Sequence, residues 1–363
     1  MLLLLTLFFR NAAVSRNCNS AVSTYVGHKN AELAFRATNM EFRTTFNPTK
    51  SDASIGYDDS ILTIGSCFAE HMGARLSALR FSTLTNPFGI LYNPISISKN
   101  IIKLLTPEVY NDEDVFQNGD LWHSWQHHGK FSSPKKDHIL RGINDSLSEA
   151  RTFFQKTNRL IITVGTANVF IERKSGEVVA NCHKVPSRNA ETGLDTFEKR
   201  RLSVQEIVEN FTNILNKINA QKADIQIIIT VSPIRHIRDG LIENQRSKAT
   251  LLLAVDEICR QFQNVYYFPA YELMMDDLRD YRFYEADMIH PSSQAIDYIW
   301  DYFKEVFFTD KTNCVINDVQ KMNAMLQHRP LHPDTEGYQQ FVNSVNNKMI
   351  ELKSKSPFLT FSP

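Results

Sequence analysis

Four short runs of apolar and β-branched residues constrain the fold of this chain more than any other feature of its sequence. They cover residues 61–64, 160–164, 225–231 and 265–268, and a Gly, Ser or Pro follows each one. Apolar character is nearly continuous along each run, which is typical of strands buried on both faces of a parallel sheet. The sequence therefore predicts a central parallel sheet that includes these four strands.

Amphipathic helices are predicted between the strands. Ser203 and Glu206 form a capping box that opens a helix with one apolar face. Residues 246–262 show a second helical pattern, and Pro291 is predicted as the first residue of a third helix that reaches Phe307. Strands that alternate with helices of this length predict an α/β fold with a doubly wound parallel sheet. Ligands of such folds bind outside the carboxyl ends of the strands.

The 363 residues suffice for one large α/β domain with additions. The interval from about 94 to 150 departs from the alternation of strands and helices, and we interpret it as an insertion beside the site. The segment after residue 310 is polar and weakly periodic, with one helix predicted near 339–352. The predicted organisation is an N-terminal extension (1–39), a main domain that carries the site (40–310) and a C-terminal helical appendage (311–363).

Residues 1–9 form an apolar run that is too short to span a bilayer. The run also lacks the positive charge that usually precedes the apolar part of a signal peptide. The cysteines are scattered and include no Cys-x-x-Cys pair, which is typical of a reducing compartment; they are Cys18, Cys67, Cys182, Cys259 and Cys314. A cytoplasmic location is therefore predicted, with a secreted or periplasmic protein as the alternative if residues 1–9 begin a signal peptide. No later segment is long enough to predict a membrane span.

Charge and motif content exclude two classes of partner. The 40 basic and 40 acidic residues balance, and no basic tract carries interleaved aromatic residues, so nucleic-acid binding is not expected. No Gly-rich phosphate loop is present, so no organic cofactor is expected. The oligomeric state cannot be read from the sequence.

The junction after the first apolar run is the main candidate for chemistry. Gly65 and Ser66 follow the strand, and a helical pattern with Phe68 and Met72 on its apolar face begins directly after them. A hydroxyl at the turn from a buried strand into a helix lies beside backbone N–H groups and the positive end of the helix dipole. Both favour a developing oxyanion. Ser66 is therefore a candidate nucleophile.

A second candidate element lies far downstream, where Asp287 and His290 precede Pro291. A serine nucleophile needs a base, and the base needs a group that orients it. His290 can act as the base, and Asp287, three residues earlier, can hold one imidazole nitrogen. The alternative is that both side chains only cap the helix predicted after them.

Several stretches together resemble one protein family. Residues 65–69 read Gly-Ser-Cys-Phe-Ala, the motif after which the GSCFA family is named, and that family belongs to the SGNH/GDSL hydrolase-like superfamily. Further stretches are similar to the family at 86–94, 164–167, 181–184, 231–233 and 287–292. The resemblance extends from about residue 42 to residue 307. It implies a three-layer, flavodoxin-like α/β fold and a place in a superfamily of esterases and acyltransferases.

Carried onto this sequence, the resemblance implies that Ser66 is the nucleophile and that Asp287 and His290 complete a triad. It also implies three oxyanion donors, namely the backbone N–H groups of Ser66 and Gly89 and the side chain of Asn168. The Asn of the superfamily stands two residues after a Gly, whereas Asn168 stands three residues after one. The usual Gly-Asp-Ser is also replaced by Ile-Gly-Ser. The role of Asn168 is therefore an open point.

The function implied by this resemblance is that of a serine esterase or acyltransferase with an acyl-Ser66 intermediate. The expected partner is a small-molecule or glycan acyl ester, with carbohydrate O-acetyl groups as the substrate class. The alternative is a binding module that kept the fold and lost catalysis, and the shifted position of Asn168 favours it. Cys67 is a rival nucleophile, because a thiolate at a helix N-terminus has a lowered pKa, although a free Cys is more often a small buried apolar side chain.

Several other polar residues are candidates for the walls of a substrate pocket. The spacing of His123 and His127 also suits two zinc ligands on one helical turn, but no carboxylate or cysteine nearby completes the set, so no metal site is predicted. Ser232 and His236 flank the end of the third predicted strand and can line the pocket. The candidate substrate-binding residues are Cys67, His127, His128, His183, Ser232 and Arg282.

Overall fold

The computed structural model describes residues 44–182, 185–187, 195–327 and 334–359. The chain divides into two compact units, residues 1–44 and 45–363, and every element named below belongs to the second unit. The predicted N-terminal extension (1–39), including residues 1–9, lies outside the described residues, as does His183.

Ten strands and eight longer helices follow one another along the described part of the chain. The strands are β1 (Ser60–Gly65), β2 (Ser82–Thr85), β3 (Val115–Asn118), β4 (Leu121–Ser124), β5 (Arg159–Val164), β6 (Asn168–Glu172), β7 (Val178–Val179), β8 (Phe197–Arg201), β9 (Gln226–Val231) and β10 (Val265–Phe268). The helices are α1 (Cys67–Ala78), α2 (Pro94–Leu105), α3 (Lys136–Lys156), α4 (Val204–Gln221), α5 (Leu241–Gln261), α6 (Ser293–Phe307), α7 (Asp310–Leu326) and α8 (Glu336–Lys355).

A five-stranded sheet in the order β2-β1-β5-β9-β10 forms the centre of the second unit, and all of its neighbouring strands run parallel. Counted among the central strands alone, this is the flavodoxin-like order 2-1-3-4-5. The order reverses between β1 and β5, so a crevice is expected at the carboxyl ends of these two strands. The predicted α/β class, the parallel sheet and the four apolar strands are confirmed.

Helices cover both faces of the sheet, because successive side chains of a strand point to opposite sides. On β1, Leu62 and Ile64 belong to the buried cluster that also holds the apolar residues of α2, α3, α4 and α5. Ile61 and, on β5, Ile161 belong to the opposite cluster, which holds those of α1, α6, α7 and α8. The molecule therefore has the three-layer architecture that the resemblance implied, with helices α7 and α8 in the C-terminal region.

Two parts of the fold were not predicted. Strand β2 joins the sheet edge although its sequence, Ser-Thr-Leu-Thr, is mostly polar and all four residues are half-buried. Strands β6, β7 and β8 form a separate antiparallel sheet, and β3 pairs with β4 in a hairpin. Within the interval 94–150, α2 and α3 pack into the main core while the β3–β4 hairpin forms its own small sheet.

The start of α6 also differs from the prediction. Ser292, and not Pro291, is the residue at the helix boundary, since its side chain accepts a hydrogen bond from the backbone N–H of Ala295. Pro291 instead forms an isolated bridge with Tyr284 and so closes the preceding loop. Within the described residues, no helix combines the length and the apolar character that a membrane crossing requires.

Candidate active site

Ser66 lies at the carboxyl end of β1 as the N-cap of α1. Its Oγ accepts a hydrogen bond of 3.3 Å from the backbone N–H of Phe68, and the residue has no solvent exposure. Gly65, just before it, has a φ of +147°, and a Cβ there would lie only 2.1 Å from the carbonyl oxygen of Thr163. A side chain at this position would therefore clash with β5, which explains the requirement for glycine at this junction.

Ser66 and His236 both lie against Gly165. Gly165 follows β5, on the other side of the point where the strand order reverses. A Cβ placed on Gly165 would lie 3.0 Å from His236 Nε2, 3.3 Å from the carbonyl oxygen of Tyr92 and 3.5 Å from Ser66 Cβ. Ser66 and His236 Nε2 therefore approach the same side of Gly165 at the crevice, and a side chain there would be crowded between them.

Asp287 and His290 form a hydrogen-bonded pair in the loop before α6. His290 Nδ1 lies 2.6 Å from Asp287 Oδ2, and Asp287 Oδ1 accepts the backbone N–H groups of Ile289 (2.8 Å) and His290 (3.0 Å). These bonds, that from the His290 side chain foremost, lower the pKa of Asp287 to about 2. Asp287 therefore stays ionised and holds Nδ1 of His290, which leaves Nε2 as the nitrogen that can exchange a proton with another group.

Backbone contacts fix this loop against the segment that follows β9. The Arg235 N–H donates to the Ile289 carbonyl at 3.2 Å, and Arg235 Nη1 donates to the Met288 carbonyl at 3.0 Å. Charge on His290 contributes to lowering the pKa of both His71 and His236, after burial as the main cause, so the loop lies close to α1 and to His236.

Ser66 and His290 are thus at the same end of the sheet, although no hydrogen bond joins them in the structure. Their exposure differs, because the side chain of His290 is 41 % exposed whereas Ser66 is fully buried. Hydrogen bonds between catalytic groups are often long in the absence of substrate and tighten in the complex. The missing direct bond therefore does not remove His290 as a candidate partner of Ser66.

The three oxyanion donors implied by the resemblance are each engaged within the protein. The N–H of Ser66 donates to the Thr163 carbonyl at 3.1 Å, and the N–H of Gly89 donates to the Asn86 carbonyl at 2.8 Å. Asn168 Nδ2 donates to Asp239 Oδ2 at 2.8 Å. A substrate carbonyl would have to share these hydrogens or displace their present acceptors.

Cys67, the rival nucleophile, is the first residue of α1. Its Sγ lies 3.6 Å from the Tyr92 hydroxyl, and burial raises the pKa of the thiol. The raised pKa keeps the sulfur protonated, and a protonated thiol is a poor nucleophile. The raised pKa of the thiol therefore disfavours Cys67 and leaves Ser66 as the main candidate of the two.

Two histidines of the 94–150 interval, His123 and His127, are buried in the protein. His127 is buried with ring contacts to Phe88, Tyr110 and Phe131, and its Nδ1 lies 3.0 Å from Ser124 Oγ. Such packing indicates that it supports the aromatic core under the site. The described residues contain no group of three His, Cys, Asp or Glu side chains that could hold a metal ion.

The other pocket candidates occupy different positions. His128 caps a short turn and lies against Gly89, where an added Cβ would come within 2.3 Å of the His128 Cβ. Ser232 is buried at the end of β9, and its Oγ accepts the Ile234 N–H at 3.3 Å. The Arg282 side chain is exposed, and its Nε lies 3.5 Å from Asp280 Oδ2. Of these three residues, Ser232 lies at the sheet end that carries Ser66, and Arg282 lies on the surface.

A cavity of about 210 Å³ opens beside the Asp287–His290 loop. Its lining includes Arg235, Arg279, Tyr281 and Tyr284. The Arg235 guanidinium lies over the rings of both tyrosines, at 5.8 and 5.4 Å from their centroids. The cavity therefore presents guanidinium and aromatic groups beside the Asp287–His290 loop.

Sequence reasoning missed Lys248, which lies fully buried on α5. Its Nζ donates to the carbonyl oxygens of Gly165 (2.7 Å) and Ser232 (2.6 Å), which follow β5 and β9. Burial lowers the pKa of Lys248 to about 7. This side chain ties together two strand ends at the site, and nothing in its helical sequence context signals that role.

The fold and the site together define an α/β protein whose candidate nucleophile lies at the end of the first strand. The chain belongs to the GSCFA family, whose model matches residues 60–303, and a model described as the GSCFA domain protein, C-terminal domain, matches residues 319–363. No curated protein is similar enough in sequence to give a match.

Three solved structures are similar to parts of this chain. One is described as a putative platelet activating factor from Streptococcus pneumonia, with 10% identity and a TM-score of 0.36 over 76% of this chain and 91% of the other. A carbohydrate esterase family 3 from Talaromyces cellulolyticus has 10% identity and a TM-score of 0.34 over 72% and 99%. An acetyl xylan esterase (Est2A) from Butyrivibrio proteoclasticus has 12% identity and a TM-score of 0.33 over 72% and 65%.

Proposed function

We propose that this protein is a serine esterase or acyltransferase that acts on O-acyl esters, with O-acetyl groups on carbohydrate as the substrate class. The observation that carries the proposal is the Asp287–His290 pair beside the end of the sheet where Ser66 begins α1. Membership of the GSCFA family supports the same reaction class through the resemblance to esterases and acyltransferases.

In the proposed reaction, His290 Nε2 takes the hydroxyl proton of Ser66 while Oγ attacks the ester carbonyl carbon. The carbonyl π bond opens to an oxyanion, which then collapses and expels the alcohol oxygen, and that oxygen receives the proton from His290. Water, or an acceptor alcohol in a transfer reaction, attacks the acyl-Ser66 ester by the reverse sequence. Asp287 stabilises the imidazolium that forms in both halves, because its lowered pKa keeps it charged.

A fluorophosphonate probe tests this proposal. Incubation of the folded protein with the probe, followed by peptide mass analysis, is expected to place the phosphonyl group on Ser66. Ser66→Ala is expected to lose both the label and the turnover of 4-nitrophenyl acetate, whereas Cys67→Ala keeps both. Full activity in Ser66→Ala together with an inactive Cys67→Ala would show instead that the sulfur is the nucleophile.

A second candidate is a ligand-binding module with the same fold and no catalysis. The engagement of the Ser66, Gly89 and Asn168 donors within the protein favours it, because an oxyanion site normally presents unengaged N–H groups. Absence of phosphonyl labelling in a folded sample that still binds an acetylated glycan would support the binding module and contradict the esterase.

A further inference from the structure

We propose that His236 is an oxyanion-binding catalytic residue, whose Nε2–H donates a hydrogen bond to the substrate carbonyl oxygen as Ser66 attacks. This inference rests on the proposed acyl-Ser66 chemistry and adds a residue that the triad and the implied donors do not include. It follows from the approach of His236 Nε2 and Ser66 to the same side of Gly165.

The first argument is the unsatisfied nitrogen of His236. Nε2 is shielded from solvent and has no hydrogen-bond partner in the structure. A buried polar atom without a hydrogen bond destabilises the folded protein by about 1–3 kcal/mol. Such an atom next to a candidate nucleophile suggests that a ligand forms the missing hydrogen bond. In the proposed reaction, the carbonyl oxygen of an ester bound beside Ser66 and Gly165 would be the hydrogen-bond partner of Nε2.

The second argument is that the ring is held in place. The backbone N–H of His236 donates to Asn244 Oδ1 at 2.8 Å, and this bond ties the His236 backbone to the first turn of α5. The Tyr92 ring meets the imidazole edge-on at a centroid distance of 5.3 Å. An oxyanion donor is effective only if its direction is set before the reaction, and these two contacts set the position of Nε2.

The third argument is protonation. Burial, with a smaller contribution from the charge of Lys248, lowers the pKa of His236 to about 3; His290 acts in the same direction and Asp239 opposes them. The imidazole is therefore neutral at any pH at which an esterase is assayed. A neutral imidazole carries one N–H, and the proposal assigns that proton to Nε2, so that His236 polarises the carbonyl without transferring a proton.

The role of donor fits His236 better than the role of base. No carboxylate among the described residues accepts a hydrogen bond from His236, whereas His290 is held by Asp287. A base with a pKa of about 3 is also a weak acceptor for a hydroxyl proton. His236 can therefore supply the donor that Asn168, bonded to Asp239, does not direct at Ser66.

The experiment compares wild type, His236→Ala and His236→Gln, with His138→Gln as the control at an exposed histidine on α3. The assay is steady-state hydrolysis of 4-nitrophenyl acetate, together with thermal unfolding of each protein. We expect His236→Ala to lower kcat by about 10²–10³-fold with little change in KM, as for loss of one oxyanion donor. The side-chain amide of glutamine can place an N–H near Nε2, so His236→Gln is expected to recover about tenfold of that loss. His138→Gln is expected to match wild type.

A pH profile separates the possible roles. If His236 is a donor, the pH profile of kcat/KM keeps its wild-type shape in His236→Gln while the rate falls at every pH. A changed shape of that profile in His236→Gln would make His236 the base and overturn the proposal. An unchanged kcat in His236→Ala would overturn it as well. A wild type with neither turnover nor labelled Ser66 would overturn the proposed function and, with it, this inference.

Discussion

Ser66 and His236 belong to a half of the candidate site at the strand ends that is buried or partly buried, whereas Asp287 and His290 belong to a more exposed half on a loop. We call the first the strand-end half (Ser66, Gly165, His236 and Lys248) and the second the loop half (Asp287 and His290). In the strand-end half, Ser66 and Lys248 have relative exposures of 0% and 1%. In the loop half, the side chains of Asp287 and His290 are 44% and 41% exposed.

The two halves are therefore stabilised in different ways. Hydrogen bonds of the sheet and of Lys248 hold the strand ends, so a change there affects both chemistry and stability. The loop half is held by bonds within the loop and by two contacts from Arg235, and solvent screens its side chains, so a change there should affect stability less than a change at the strand ends. Mutating one half at a time therefore tests how far activity and folding can be separated.

The largest effect is expected in the loop half. His290→Ala removes the proposed base and should lower kcat/KM for 4-nitrophenyl acetate by about 10³-fold or more. The free energy of unfolding should change much less than the activation free energy does, because the side chain is 41% exposed and solvent screens its bond to Asp287. Steady-state kinetics and urea unfolding measure the two quantities, and a large loss of stability would contradict the separation of the halves.

Gly165→Ala is expected to have the next largest effect. Its methyl group would enter the space between Ser66 and His236, so we expect kcat/KM to fall by about 10²-fold while the protein stays folded. Gly142→Ala is the matched control, because a Cβ there meets no atom within 4 Å. That control should keep full activity and gain up to about 1 kcal/mol of stability, since Gly142 lies within α3. A wild-type value of kcat/KM in Gly165→Ala would show that substrate does not approach the side of Gly165 that faces Ser66 and His236.

Lys248→Met tests how the strand-end half is held. The change leaves the carbonyls of Gly165 and Ser232 without a donor, so we expect the free energy of unfolding to fall by about 2 kcal/mol. The effect should depend on pH. Burial lowers the pKa of Lys248 from its ordinary value of 10.5 to about 7 in the folded protein, so the folded state binds fewer protons between these values than the unfolded state does.

The stability contributed by Lys248 should therefore rise as the pH increases from 7 towards 10.5. The test is urea unfolding of wild type and Lys248→Met at pH 7.0 and pH 9.5, which lie about at the ends of that window. It measures the difference in the free energy of unfolding between the two proteins at each pH. The destabilisation by the mutation should be larger at the higher pH. Equal destabilisation at both values would argue against a buried lysine whose proton is lost within this range.

The smallest effect is expected for Cys67→Ser. The thiol is protonated and its contact is with Tyr92, so kcat/KM should stay within about threefold of wild type. The pH–rate profile should also be unchanged. A loss of more than about tenfold would bring Cys67 into the chemistry and so move the nucleophile from the strand end to the first turn of α1.

The central fold was predictable because its strands are buried on both faces. The runs at 61–64, 160–164, 225–231 and 265–268 predicted β1, β5, β9 and β10 within one residue at each end. Strand β2 escaped prediction because an edge strand with four half-buried positions needs no apolar run. Strand β8 escaped because most of its residues are exposed and charged, such as Glu198 and Lys199, which gives no strong β pattern.

The site was predictable only in part, for a physical reason. Ser66, Asp287 and His290 follow from local chemistry, since a turn, a helix start and a short spacing are properties of neighbouring residues. The approach of Ser66 and His236 to the same side of Gly165 involves residues that are about 170 positions apart, and the burial of Lys248 depends on how α5 packs. Such contacts come from the tertiary fold and leave no periodic pattern in one sequence.

Ser66 is both the candidate nucleophile and the N-cap of α1, so acylation of its Oγ would weaken the cap of that helix. An acylated Oγ is an ester oxygen, which accepts a hydrogen bond from the Phe68 N–H less well than a hydroxyl oxygen does. Each acylation would thus loosen the first turn of α1 by up to about 1 kcal/mol, and each deacylation would restore it. If Ser66 is acylated as proposed, the unacylated protein is therefore the state in which the cap of α1 is intact, and loss of the acyl group would restore that cap.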